Sequence, residues 1–163
     1  IQPTEAELKQ LAPLYQSSKP GVFEPDSFAL QVAERQNQRL STAGGGVYTT
    51  LDDLGVLMQL HLNRGVYKGK QLVRAKTLKQ LYQAQPGTRG RYGLAFQIHQ
   101  SSVNGNSRIL SHPGYSGPVA WIDFERELVG VLLMQSNTVK RSKHHQRIID
   151  TIYRLIPAGH TSD

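Results

Sequence analysis

The chain has no cysteine. Disulfides, thiolate metal sites and a cysteine nucleophile are therefore excluded, while the compartment stays open. No apolar run reaches the ~18 residues a membrane-spanning helix needs, which argues against an integral membrane protein. The opening IQPTEAELKQ lacks both the basic and the apolar regions of a signal peptide. It also lacks an initiator methionine, so the chain reads as processed, trimmed or cut from something longer. Acidic residues are missing over a long internal span, with none between Leu54 and Ile122. That span carries Arg64, Lys68, Lys70, Arg74, Lys76, Lys79, Arg89, Arg91 and Arg108. Within a net charge of +7, this one-sidedness suggests an anionic small-molecule or peptide partner. Nucleic acid is not expected, because no helix-turn-helix, zinc-finger spacing or aromatic-basic strand signature accompanies the charge.

What is present is an ordinary globular composition, 38% hydrophobic and 19% charged over 163 residues, enough for one domain with a core. Thr4 and Glu7 form a capping-box signature ahead of a short helix that Pro13 curtails. Residues 16–40 are polar, interrupted by Pro20 and Pro25, and read as a long loop or extended crossing segment. Ser41–Thr50, STAGGGVYTT, leads to a helix capped by Thr50, with Asp52 and Asp53 in its first turn. Leu51, Leu54, Leu57, Met58 and Leu62 are expected to line its buried face, and Gly65 to stop it. The glycine run is read as a turn, since the acids at the helix start would repel a phosphate. Lys68–Leu81 holds a second, weaker helix.

The organising stretch is Arg108–Ser136, RILSHPGYSGPVAWIDFERELVGVLLMQS. Alternation over 118–123 argues a strand, and the unbroken apolar run Leu128–Met134 argues one buried on both faces, central in a sheet. With Arg91–Gln100 and an Asn104-Gly105 hairpin signal, the pattern predicts a four-stranded antiparallel meander, about 91–100, 107–112, 118–123 and 128–136. A helix over Ser142–Ile156, with Ile148, Ile149, Ile152, Leu155 and Ile156 as its stripe, should cover one face. The fold class is thus α+β, an antiparallel meander with flanking helices. Its parts are a loop-rich lead-in (1–40), a helical segment (41–90), the meander (91–136) and the C-terminal helix (142–156).

Candidate chemistry gathers at the bend Ser111–Gly117. His112 ends a strand and can serve as a cation or hydrogen-bond donor. Ser116 sits in Gly-Tyr-Ser-Gly, but Pro118 and a following strand do not match a nucleophile elbow. Adjacent His144 and His145 point apart on a helix and read as solvated residues, not metal ligands. No metal or other cofactor is expected.

The order AGGGVYTTLDDLGVLMQLHLNRG, YGLAF, SHPGYSGPVAWIDFERELVGVLLMQS and a terminal amphipathic helix resembles the C-terminal half of the serine β-lactamase-like family. That family includes class C β-lactamases, penicillin-binding D-Ala-D-Ala peptidases and related esterases. The resemblance implies a serine acyl hydrolase fold and an extracytoplasmic or periplasmic parent. His112-Pro113-Gly114 matches the family's third active-site motif, Lys/His-Thr/Ser-Gly, except that Pro113 has no hydroxyl. It implies supporting catalytic roles for His112, Gly114 and Tyr115, the last through its backbone N–H as an oxyanion donor, and substrate contacts at Pro113 and Ser116. The family's Ser-x-x-Lys and Tyr-x-Asn are absent from the sequence. Ser102-Val103-Asn104 has the related Ser-x-Asn spacing, but out of the expected order. Nucleophile and base are therefore expected from a missing N-terminal half, and the isolated chain to be inactive. Two alternatives stand beside this reading: a non-catalytic β-lactamase-like binding module, and an unrelated basic binding domain. A half-fold with an uncovered strand is also expected to self-associate as a homodimer along 128–136.

Overall fold

The structure is a computed structural model that describes residues 4–19, 21–27, 47–100, 108–138 and 141–156. The glycine run 44–46, most of the expected loop through residue 40, the Ser-x-Asn triplet and the Asn104-Gly105 turn lie outside the described residues. Helix α1 (Glu5–Leu8) starts with the expected capping box, Glu7 N–H donating to Thr4 Oγ1 and Thr4 N–H to the Glu7 carboxylate. Over the described residues the segment after Pro13 is extended, the second of the two expected forms. Strands β1 (Leu14–Lys19) and β2 (Val22–Asp26) form an antiparallel hairpin, and β1 also pairs in parallel with the late strand β9 (Ser136–Thr138).

Helix α2 (Leu51–Leu62) begins where Thr50 Oγ1 accepts the Asp53 N–H at 3.1 Å. Its inward residues are Leu54, Met58, His61 and Leu62, while Leu51 and Leu57 are exposed, so the buried stripe is rotated from the expected one. A two-stranded hairpin then follows α2, β3 (Val66–Tyr67) and β4 (Lys70–Gln71). Lys68 and Gly69 both have positive φ, the geometry that turns a two-residue hairpin. The helix expected within Lys68–Leu81 is α3, Ala75–Leu81, with Leu78 buried.

The central sheet is antiparallel in the order β5 (Gln97–Gln100), β6 (Arg108–Pro113), β7 (Val119–Asp123), β8 (Leu128–Leu132). Register pairs Leu110 with Ile122 and His112 with Ala120. Strand alternation then separates two faces. One carries Leu110, Ala120, Ile122, Val129 and Val131, which pack with Met58, Leu54 and Leu62 of α2 and with Phe96. The other carries Ser111, Val119, Trp121 and Asp123, all buried. On that face a Cβ at Gly130 would be driven into the Trp121 ring, so only glycine lets the indole lie flat on β8.

Helix α4 (Arg141–Leu155) is tied to this second face through Tyr153, whose hydroxyl donates to Asp123 and whose ring lies 4.4 Å from the Arg126 guanidinium. Its buried side differs from the expected stripe. His145 is buried, contrary to its reading as solvated, while Ile148, Leu155 and Ile156 are exposed. The apolar run 128–134 is likewise not central. Among the described residues β8 is the sheet's edge, paired only with β7, and its side chains are half-buried.

Candidate active site

The bend between β6 and β7 is fixed by its own backbone. Gly114 N–H donates to Pro118 C=O at 2.8 Å and Gly117 N–H to Gly114 C=O at 3.3 Å, leaving Tyr115 and Ser116 at the turn centre. A Cβ at Gly114 would lie 2.6 Å from Pro118 Cγ, and one at Gly117 2.9 Å from the Ser136 carbonyl. Gly117 also has φ +109, so both glycines are required by geometry. Ser136 N–H donates to Ser116 C=O at 2.8 Å, stapling the turn to the strand that β1 pairs with. The N-terminal hairpin is therefore part of what holds the bend.

His112 closes β6 on the α2 side of the sheet and is exposed. Its Nδ1 is 2.8 Å from the Ala95 carbonyl and 3.3 Å from the Tyr92 hydroxyl. A carbonyl only accepts, so the network assigns the proton to Nδ1 and leaves Nε2 with the lone pair in the neutral ring. A histidine oriented this way can accept a proton at Nε2, or donate from it once charged. The carbonyl that orients it depends on Gly93. A Cβ there would collide with the Leu81 carbonyl, and Leu94 N–H donates to that same carbonyl at 3.0 Å. The stretch Tyr92–Phe96 thus docks on the end of α3 and presents Ala95 to His112.

The expected site residues are brought together in part. His112, Gly114, Tyr115 and Ser116 share one bend, with Tyr115 61% exposed at its tip. Pro113 pairs with Val119 on the opposite face from His112, so its ring and the imidazole do not line one wall. Tyr92 and Ala95 were not singled out as partners, since nothing in YGLAF marks a carbonyl as the orienting group. Also unforeseen is a contact between His99 Nε2 and Ser111 Oγ at 2.8 Å. Ser111 is buried, so this pair braces β5 against β6 and does not present a nucleophile. Among the described residues no three His, Asp or Glu side chains converge as a metal site, and no helix is long and apolar enough to cross a membrane.

Comparison with known proteins adds the family. A search of curated proteins finds no match. Among solved structures, the chain is similar to a "putative beta-lactamase" from Bacteroides dorei DSM 17855 at 16% identity and a TM-score of 0.45. That alignment covers 69% of this chain and 46% of the other, so the chain spans less than half of the protein it matches. The Beta-lactamase family profile matches residues 1–152, nearly the whole sequence. That match sets aside the unrelated basic domain: the chain belongs to the Beta-lactamase family.

Proposed function

We propose that this chain forms the substrate-side portion of a serine acyl hydrolase acting on a β-lactam, a D-Ala-D-Ala peptide or an ester. The observation that carries this reading is the oriented His112 beside a glycine-walled bend. Such a bend, packed tightly on Pro118 and on the Ser136 backbone, holds the groups at its tip in place, and an imidazole with its Nδ1 committed offers one defined nitrogen to the reaction. In this assignment Tyr115 N–H is one oxyanion donor, Gly114 fixes the bend by packing on Pro118, Ser116 borders the substrate, and Pro113, on the face away from His112, shapes the strand end beside it. The basic, acid-free stretch suits a substrate carrying a carboxylate. The 163 residues hold no Ser-x-x-Lys, so the nucleophile and its base come from a separate portion of the enzyme.

The test uses the longest protein that carries this chain together with such a serine. His112→Ala is expected to raise the barrier by roughly 2–4 kcal/mol, as lost oxyanion-site contacts do, with the melting temperature nearly unchanged. A sharp fall in melting temperature with normal activity per folded molecule would overturn the assignment. The chain alone is expected to turn over neither a chromogenic β-lactam nor a p-nitrophenyl ester. Turnover that vanished on His112→Ala or Ser116→Ala would show that it carries its own catalytic apparatus. The missing Ser-x-x-Lys also favours a second reading, a β-lactamase-like module that binds without catalysis. That reading stands if the longer protein also lacks the serine.

A further inference from the structure

A cleft of about 760 Å³ opens between α3, the end of α2 and the sheet. Its size falls in the range of small-molecule pockets. It is separate from the bend: among the described residues Leu110 alone of β6 lies in its wall, and none of His112–Ser116 lines it. Leu110 and Phe124 form the floor, with Leu78 and Tyr82 along the side. Arg64, Lys76 and Lys79, all exposed, stand at the rim, and among the described residues no carboxylate lines the cleft. The inner polar atom, the Tyr82 hydroxyl, is already engaged with His61 Nδ1 at 2.8 Å. A polypeptide occupant would bring backbone N–H and C=O groups into walls with few partners for them, which disfavours a peptide. An aliphatic chain meets no such penalty.

The rim has a second peculiarity. At the end of α2, Gly65 N–H donates to Leu60 C=O at 2.8 Å and Arg64 N–H to His61 C=O at 3.1 Å, the paired bonds of a Schellman motif. The left-handed position of that motif normally holds glycine, yet here it is Arg64, at φ +53. A conformation disfavoured for any side chain is occupied by the one residue that brings a guanidinium to the cleft. Local strain of this kind is common at ligand clamps.

We propose that this cleft binds an amphipathic anion, an aliphatic carboxylate whose tail lies against Leu78, Tyr82 and Phe124 and whose head sits among Arg64, Lys76 and Lys79. Isothermal titration of the whole chain with decanoate, below its micellar concentration, tests it. Decanol and decyltrimethylammonium serve as neutral and cationic controls. Decanoate is expected to bind one to one and more tightly than either control. The pair Lys76→Glu and Lys79→Glu, both exposed, should weaken it at least about tenfold at low salt. Ala84→Trp, filling the cleft, should abolish binding without charge change. Absence of decanoate binding, equal affinity for the ammonium, or affinity indifferent to both variants overturns the proposal. His112→Ala should leave decanoate binding intact, so this result stands apart from the fate of the acyl-hydrolase reading.

Discussion

The Tyr153 hydroxyl donates a 2.9 Å hydrogen bond to Asp123 Oδ2, joining the last helix to the third strand of the sheet. The other carboxylate oxygen accepts the backbone N–H of Glu125 at 3.0 Å and of Arg126 at 3.1 Å, closing the β7–β8 turn. One buried acid thus shapes a turn and anchors a helix at once. Tyr153→Phe strips a buried carboxylate oxygen of its donor and should cost about 1–3 kcal/mol. Asp123→Ala orphans the hydroxyl and two backbone N–H groups together, and should cost more. Urea unfolding of both variants checks the order; an Asp123→Ala loss no larger than that of Tyr153→Phe would refute it.

The same tyrosine, with Tyr82, sets the alkaline limit. Burial pushes Tyr82 up to about 12, and it pushes Tyr153 well above the ordinary tyrosine range, aided by the hydrogen bond to Asp123 and its charge. Arg126 and the Trp121 indole oppose the Tyr153 shift. Among the described residues the indole N–H has no hydrogen-bond partner, so its influence on Tyr153 is that of a weak, long contact. Both folded-state values exceed the unfolded value of about 10. The stabilising contribution is therefore complete below pH 10 and is lost as pH rises through the folded values, from about 10 to 12 for Tyr82. Denaturant midpoints should fall steadily over that window, and Tyr82→Phe should flatten the fall. An unchanged slope in the variant would contradict the assignment.

The meander was legible because its strands are apolar runs set apart by turn residues, although 119–123, read from alternation, is buried on both faces, one meeting α2 and the other tied to α4. The β1–β2 hairpin was not, because Tyr15, Val22 and Phe23 are exposed and no inside–outside alternation survives in the sequence. A usable signal was there in Lys-Pro-Gly-Val, a turn dipeptide between short runs, and Gly21 does adopt φ +80. The buried face of α4 was misread for a different reason. His145 and Tyr153 are amphipathic, so a stripe drawn from isoleucine and leucine alone misses the buried His145 and the Tyr153 that bonds to Asp123. At the candidate site, the motif residues were found by resemblance. The Ala95 carbonyl that orients His112 could not be, since a backbone acceptor leaves no mark on residue type.

Arg64 offers a test of stored strain. A non-glycine residue in the left-handed region costs roughly 1–2 kcal/mol, and glycine gives back part of that through its freer unfolded chain. Arg64→Gly should therefore stabilise the chain by about 0.5–1 kcal/mol by denaturant unfolding. If the cleft uses the guanidinium, the same variant should bind decanoate more weakly, so stability and affinity move in opposite directions. A destabilised variant would mean that the arginine side chain contributes packing the backbone argument ignores.

The last expectation concerns the edge of the sheet. Among the described residues β8 has a neighbour on one side only, and Leu133, just past it, is 40% exposed. The alternative to self-association is an N-terminal segment that folds back over this edge. The hairpin does fold back, but onto 136–138: Tyr15 pairs with Ser136, and Tyr15 N–H donates to the Gln135 carbonyl at 3.0 Å. That pairing begins where β8 has ended, so among the described residues 128–132 has no strand partner on its outer side. Such an edge is a template for a second strand, and charge placed on it suppresses pairing. We expect a concentration-dependent dimer in light scattering, and about tenfold weaker association for Leu133→Lys, whose exposed position carries little packing. Slow amide exchange throughout 128–132 in a chain that stays monomeric at every concentration would show the edge to be protected by other means and would end the dimer proposal.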